Sequence, residues 1–499
     1  MKNVELEART RKQRIDPRLR ASGWQLELYR VGQSLSHLQR TALEEFPTEA
    51  GPADYVLADA GDLRAVVEAK KVTLGAQGVL VQAERYARAI PHVPCYQGKF
   101  GVPFLYSTNG EEIWFHDVRH ELNRSRRVSA FHTPGALSEF LSREPEGELA
   151  KLAELPWHQQ LYPFQVEANT AIEQAIAARK RSMLLTMATG TGKTLTMVNE
   201  VYRLMKSGVA KRVLFLVDRK ALAAQAVRAF ASFEAEPGLK FDKIYPVYSQ
   251  RFQRDDLADE GKFDPNVMPN SLLKSPKLGD AFVYVCTIQR MTINLLGRDA
   301  VLSFGPSEDS VDEDAGKLDI PIHAFDLVIA DECHRGYSAK ELSVWRSTLD
   351  HFDAIKVGLT ATPAAHTMAY FEHLVYRYDY ERAVREGYLV DYDVVRVKSD
   401  VRLNGIFLKE GEQVDEVDPD TGTRQLDLLE DERAFDATTV ERQITVPASN
   451  RLILDEVKRY AEEHEKATGR FPKTLIFAVN DLPHTSHADQ LVKGCATKS

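Results

Sequence analysis

The sequence predicts an α/β protein built chiefly on a parallel sheet wound by crossover helices. Three observations predict it. Between residues 158 and 395, short apolar runs (MLLTMAT, RVLFLVD, AFVYVCT, FDLVIADE, IKVGLTAT) alternate with helical stretches, the pattern of strands buried on both faces. The segment MLLTMATGTGKT joins an apolar strand to a glycine-rich loop and then to a helix start. FDLVIADECH ends a second such strand on two carboxylates, Asp331 and Glu332.

Length and composition bound the rest. The 499 residues are enough for about three domains of roughly 150 residues each. No apolar run reaches the roughly 18 residues of a membrane span, and MKNVELEARTRKQR lacks the apolar centre of a signal peptide. A cytoplasmic protein with no membrane partner is expected. Cys95, Cys286, Cys333 and Cys495 are scattered without a CxxC pair, which argues against a zinc site or a disulfide framework. A formal net charge of −9 excludes a uniformly basic DNA-coating protein but not a local basic groove. The basic clusters Arg9 to Arg20 and Arg119 to Arg127 read as solvated faces.

Composition divides the chain into blocks. Residues 1–145 hold the strand candidates ADYVLA and LRAVVEAK around a turn at Gly61 and Asp62. A helical stretch, GVLVQAERYARAI, follows, and then two strands around Asn109 and Gly110. Polar residues 146–160 read as a linker, and residues 161–400 as the parallel-sheet domain. The acidic insertion at about 307–319 reads as a solvated loop. Residues 401–445 form an irregular acidic linker. Residues 446–499 offer one helix and one buried-type strand, KTLIFAVN, too little to enclose a core. This last block reads as the start of a domain whose remainder is absent.

Backbone N–H groups of a glycine-rich loop at a helix start converge on phosphate oxygens. Thr189, Gly190, Thr191 and Gly192 would form that cradle, although Met187 stands where the strict pattern has glycine. Lys193 would reach the outer phosphates and Thr194 would hold Mg²⁺. Asp331 would hold the same ion through water, and Glu332 would polarise the attacking water. Thr360 and Thr362 lie in a hydroxyl-rich turn after a third strand, where they would couple nucleotide state to grip on DNA. Gln165, in LYPFQVEA, would read adenine. In the first block, Asp54 precedes one strand and Glu68 and Lys70 end the next. Side chains alternate along a strand, so Glu68 and Lys70 share a face. Two carboxylates brought together there would hold Mg²⁺, and the lysine would orient or help deprotonate water for attack on a phosphodiester. Taken alone, the trio reads rather as a turn aspartate with a surface charge pair.

ATGTGKT, DECH and TATP in this order resemble superfamily 2 helicases and translocases, which implies a RecA-like ATP-binding domain followed by the beginning of a second. VDRKALAAQ and VCTIQRM resemble that family's DNA-contacting motifs, and LIFAVND the strand opening its second domain. EAGPADYVLADAGDLRAVVEAKK followed by QAERYA resembles the N-terminal nuclease domain of the motor (R) subunit of type I restriction enzymes, a PD-(D/E)xK core followed by QxxxY. RIDPRLRASGW, STNGEEIWFHD and YDYERAVREGYLVDYDVVRV are similar to the same family. The resemblance implies that Asp54, Glu68 and Lys70 are catalytic, that Gln82 and Tyr86 support them, and that Glu49 is a further acidic member. It implies ATP and Mg²⁺ as cofactors. Double-stranded DNA and the modification and specificity subunits of a methyltransferase are the implied partners. ATP-driven translocation coupled to cleavage is the implied activity. A translocase with a non-cutting N-terminal domain, and a truncated remnant that only binds nucleotide, stay open.

Overall fold

The computed structural model describes the chain apart from residues 1–6, 71–79, 92, 94, 95, 253–264, 302–314, 334–338, 393, 395–405, 409–412, 418–423, 429–432, 436–446, 479–486 and 497–499. Most of the acidic insertion therefore lies outside the described residues. The chain divides into two compact units, Met1–Val390 and Asp391–Ser499. The first unit holds both large sheets, so the expected first and second blocks form one body.

The first sheet follows chain order, β1 (Gln25–Leu28), β2 (Thr41–Thr48), β3 (Gly51–Asp59), β4 (Asp62–Ala69), β5 (Phe104–Thr108), β6 (Ile113–Asp117) and β7 (Arg126–Val128). It is mixed. β1 and β2 pair in parallel, as do β4 and β5, and the other neighbours are antiparallel. Asp59 pairs with Asp62 across the expected turn, where Gly61 takes φ 83°. A parallel neighbour needs a crossover, and helix α3 (Leu80–Arg88) lies in the connection from β4 to β5. Alternation along β4 sends Ala65, Val67 and Ala69 to one core and Val66 to the other. The first core includes Ile15, Leu19 and Trp24, the second Ala83, Tyr86 and Ala87 of α3. The N-terminus enters the first core through α1 (Glu7–Thr10), a π-helical turn (Arg11–Ile15) and α2 (Asp16–Ala21).

The second sheet uses β8 (Ser182–Met187), β9 (Arg212–Val217), β12 (Val247–Ser249), β13 (Asn266–Val267), β14 (Phe282–Thr287), β15 (Leu327–Ala330), β16 (Ile355–Thr360) and β17 (His373–Tyr378). β10 (Glu234–Glu236) and β11 (Leu239–Lys240) form a separate small hairpin. The strand order is β13-β12-β14-β9-β15-β16-β8-β17, with every pairing parallel. All carboxyl ends therefore meet one edge, which is where ligands bind in such sheets.

The polar stretch read as a linker is instead largely helical. α4 (Pro134–Ser142) runs into α5 (Pro145–Glu154), and Leu152 is buried in the second domain's core. The buried Arg203 clamps the end of α5. It donates to the carbonyls of Leu155 (2.6 Å), Pro156 (3.0 Å) and Leu152 (3.1 Å) and bonds Glu173 at 2.7 Å. The polar composition reflects charged outer faces over a packed inner one.

The two domains of this unit are joined at the amino edge of the parallel sheet. Asp353, just before β16, is 2% exposed and accepts two hydrogen bonds from Arg126 of β7, at 2.6 and 2.8 Å. It also accepts from Arg181 at 2.9 Å and lies 2.8 Å from His132 Nε2. Burial works against its charge, but the two guanidiniums and the histidine outweigh it and hold the carboxyl well below the usual range. Beside it, Arg212 of β9 bonds Glu139 of α4 at 3.0 Å, and Arg143 reaches Asp326 at 3.3 Å. Ile322 joins the first domain's core. The clusters expected to be solvated faces are thus partly structural: Arg126 is partly buried and ion-paired at this junction, and Arg119 bonds Asp117 at 2.7 and 2.9 Å.

In the second unit, residues 401–445 are not wholly irregular. Ile406–Leu408 pairs with Arg433–Phe435 and Gln413–Val417 with Arg424–Leu428, one antiparallel ladder nested within the other. Helices Pro447–Thr468 and His487–Ala496 follow. The expected strand KTLIFAVN does not form over its described residues, and Leu475 and Phe477 are 77% and 85% exposed. A parallel strand takes its hydrogen bonds from neighbours, and no parallel neighbour exists among the described residues of this unit.

Candidate functional site

Two constellations stand in the first unit. The first lies at the carboxyl edge of the parallel sheet. β8 runs out into residues 188–192, and α7 (Lys193–Ser207) begins directly after them. Gly190 and Gly192 take φ 86° and 78°, a region that penalises side chains. At Gly192 a Cβ would also lie 2.6 Å from Gln165 Nε2. Thr191 is buried and its hydroxyl donates to Ala188 O at 2.6 Å. Thr189 is exposed and Thr194 half-buried in the first turn of α7.

β16 separates β8 from β15, and the register matches Thr360 with Thr186 and Gly358 with Ala330. The loop, the acidic box and the hydroxyl-rich turn therefore meet. Lys193 Nζ stands 3.5 Å from Glu332 Oε1. Glu332 takes φ 50°, a strained conformation for a non-glycine residue of the kind found at functional sites. Asp331 accepts from Glu332 N at 2.9 Å. Burial, then the neighbouring Glu332 carboxylate, push Asp331 up to about 6, with Lys193 pulling the other way. Thr360 is buried and accepts from Thr362 N at 3.1 Å. Cys333 N donates to Leu359 O at 3.1 Å, and Thr367 Oγ1, on the short helix Ala365–Tyr370, donates to Cys333 O at 3.3 Å, which ties both flanks of the turn after β16 to the acidic box.

Gln165 sits in the first turn of α6 (Pro163–Ala177) and is 1% exposed. Its Oε1 accepts from Tyr162 N and its Nε2 donates to Thr191 O, both at 3.0 Å. The amide expected to read adenine is engaged with the phosphate loop itself. Of the cationic side chains in the two segments resembling DNA-contacting motifs, Lys220 and Arg290 are buried and Arg219 is exposed.

The second constellation is in the first domain. Asp54 Oδ2 accepts from the backbone N of Ala69, at the end of β4, at 2.7 Å. Glu68 is 2% exposed, and its Oε1 accepts from Lys70 Nζ at 2.7 Å. Asp54, Glu68 and Lys70 are thus brought together as expected. On α3, Gln82 donates to Tyr86 OH at 3.4 Å, and a Cβ at Gly51, at the start of β3, would lie 3.8 Å from the Tyr86 ring. Glu49 does not join: it is exposed in the turn between β2 and β3. Glu45 and Glu44 take that place, through Arg11 of the π-helical turn. Register arithmetic could have found Glu45, because a tight turn at Thr48 and Gly51 sets it opposite Asp54. No local pattern marks Arg11.

Among the described residues no group of three or more His, Cys, Asp or Glu side chains is placed to hold a metal ion. The two sites nonetheless offer hard oxygen donors of the kind Mg²⁺ takes alongside several waters. Asp54 and Glu68 each face a cationic side chain, as carboxylates in a cation site would.

Residues 158–365 match the family model described as the type III restriction enzyme res subunit, and residues 25–141 match that of the second domain of the type I restriction enzyme EcoKI endonuclease subunit. The EcoKI endonuclease subunit of Escherichia coli (strain K12) is 31% identical over 545 residues, spanning 96% of this chain and 42% of that protein. The chain is similar to type I restriction endonuclease subunits over almost its whole length. The EcoAI endonuclease subunit of Escherichia coli is 28% identical over 442 residues, 84% of this chain and 45% of that protein. The chain thus spans less than half the length of these curated relatives. The fragment structure of a protein assigned as an HsdR subunit of a type I restriction enzyme from Vibrio vulnificus YJ016 is 20% identical. It covers 99% of this chain and 74% of that one, at a TM-score of 0.35. No helix among the described residues is long and apolar enough to cross a membrane.

Proposed function

We propose that this chain carries the ATP-binding half of a DNA-translocating motor and the Mg²⁺-dependent nuclease that the motor serves. Its proposed partners are double-stranded DNA and the modification and specificity subunits of a methyltransferase. The observation that carries the reading is the meeting of Lys193 and Glu332 at one sheet edge, in the same body as the Asp54, Glu68 and Lys70 cluster.

At the motor site, backbone N–H groups of residues 189–192 and the start of α7 would receive the phosphates of ATP. Lys193 would turn from Glu332 to the outer phosphates, which frees Glu332 to orient the attacking water. Asp331 and Thr194 would hold Mg²⁺, which neutralises phosphate charge when bound. Gln165 holds the loop from behind. Thr360 and Thr362, tied to the acidic box through Cys333 and Thr367, would relay the change to the DNA-gripping surface. At the nuclease site, Asp54 and Glu68 would hold Mg²⁺, and Lys70 would orient the water that attacks a phosphodiester. Gln82 and Tyr86 would support this face. DNA contacts of such a motor are mainly to phosphates and weaken steeply with salt.

Two substitutions in the full chain test the reading. Lys193→Ala should abolish binding of a fluorescent ATP analogue and leave the fold intact. Lys70→Ala should leave nucleotide binding unchanged and abolish Mg²⁺-dependent nicking of supercoiled DNA by the enzyme assembled with its methyltransferase partners. Nicking by Lys70→Ala at the wild-type rate refutes the nuclease assignment. Wild-type nucleotide affinity in Lys193→Ala refutes the motor assignment.

A further inference from the structure

Arg11 reaches the Asp54 cluster from the opposite side to β4. Glu44 pairs with Tyr55 and Phe46 with Ala53, so Glu45 and Asp54 face each other across β2 and β3. Like charges directly opposite on an antiparallel pair repel. Glu45 also takes φ 54°, rare for a residue with a side chain. The pair is held by one guanidinium. Arg11 NH1 bonds Glu45 Oε1 and lies 3.1 Å from Asp54 Oδ1. Its NH2 donates to Asp54 O at 3.3 Å, its Nε to Tyr55 OH at 3.5 Å, and its Cζ lies over the Tyr55 ring, 4.9 Å from the centroid. The side chain is only 12% exposed. Tyr55 in turn donates to Asp16 at 2.6 Å, so the first turns of the chain are built onto this site. A π-helical turn supplies Arg11, and such turns are frequent at functional sites.

The two oxygens of Asp54 are therefore set by different elements. Oδ2 is fixed by the main chain beside Glu68, and Oδ1 by Arg11. We propose that Arg11 is a positioning residue of the nuclease site: it orients the Asp54 carboxylate and neutralises Glu45, so that the carboxylates bind a divalent cation in one place and with modest affinity. The inference rests on the nuclease reading of Asp54 and Glu68. A planar fork is needed to bond Asp54, Glu45 and Tyr55 OH together, and lysine, a point charge on a flexible stem, lacks it.

The test measures Mn²⁺ binding to the nucleotide-free full chain by electron paramagnetic resonance, alongside nicking by the assembled enzyme. Asp54→Asn comes first: if it removes no Mn²⁺ site, the nuclease reading itself fails. With that site established, Arg11→Gln should tighten Mn²⁺ binding by roughly tenfold, since a nearby positive charge is lost, and should slow nicking at saturating metal. Arg11→Lys keeps the charge and should bind Mn²⁺ as the wild type does, yet still nick slowly. A merely structural role would weaken binding and nicking together. Unchanged or weaker Mn²⁺ binding in a folded Arg11→Gln variant overturns the inference. Should that variant not fold, Arg11→Lys decides: wild-type nicking overturns the positioning role, and slow nicking with unchanged Mn²⁺ affinity upholds it.

Discussion

Replacing Asp353 by alanine removes the anion on which the two domains of the first unit converge. Four contacts go at once: two from Arg126, one from Arg181 and one with His132. Their remaining partners differ in what they can recover. The Arg181 side chain is 37% exposed and can turn to water, whereas Arg126 is 20% exposed and His132 fully buried. Breaking a buried ion pair costs about 3–5 kcal/mol, because the surviving charge stays buried and unpaired. The access of Arg181 to solvent places this case at the low end, about 3 kcal/mol. The assay is urea unfolding of the full chain, with hydrogen exchange read separately over 104–132 and 351–360. The wild type should lose protection in both segments together. The variant should open the junction at lower urea, with the first domain released before the second. A midpoint moved by less than the equivalent of about 1 kcal/mol, or two separate transitions already in the wild type, would refute the claim that Asp353 couples the domains.

Two further outcomes follow from the same physics. His132, His323 and His351 all lie at this junction with their pKa values lowered, His323 to about 3, in each case chiefly by burial. A lowered histidine stays neutral in the folded protein while the unfolded chain takes up the proton below about 6.5. Stability is therefore complete above about pH 6.5 and lost as pH falls toward the folded value. For His323 alone the loss at pH 5 is about 2 kcal/mol, so urea midpoints identical at pH 7.5 and pH 5 would contradict it. Gly192→Ala should cost about 1–2 kcal/mol from its left-handed backbone alone and should also displace Gln165 from the loop. Binding of the fluorescent ATP analogue should then fall at least tenfold, and adding Gln165→Ala should restore only part of it. Full restoration would show that the backbone conformation is immaterial.

The site proposed for ATP was legible because its parts are local. Strand, loop and helix start lie within MLLTMATGTGKT, and Asp331 and Glu332 follow their strand directly, so periodicity and loop chemistry suffice to place them. The hairpin bearing Asp54, Glu68 and Lys70 was legible for the same reason. What escaped depends on distance along the chain. Arg126 and Asp353 are 227 positions apart, and no spacing rule connects them, so the arginines around residue 126 read as solvated. Arg11 and Asp54 are 43 apart, and the hairpin register, rather than any local pattern, sets Glu45 opposite Asp54 and leaves Glu49 in the turn. Gln165 lies beside the glycine-rich loop, and the bond from its buried amide to Thr191 O is a contact 26 positions away that no local pattern marks. KTLIFAVN has the composition of a strand, yet a strand is a relation between neighbours, and composition says nothing of whether neighbours exist.

The junction at Asp353 also bears on where the molecule can be divided. Composition suggests a cut between residues 145 and 160, where polar residues gather. A cut there would leave Arg126 and His132 on one fragment and Asp353 on the other, and would withdraw Ile322 from a core it helps to fill. Arg212 would lose Glu139 by the same stroke. Each fragment would carry bare ions where it had been dry, and neither would be the domain that its boundaries promised.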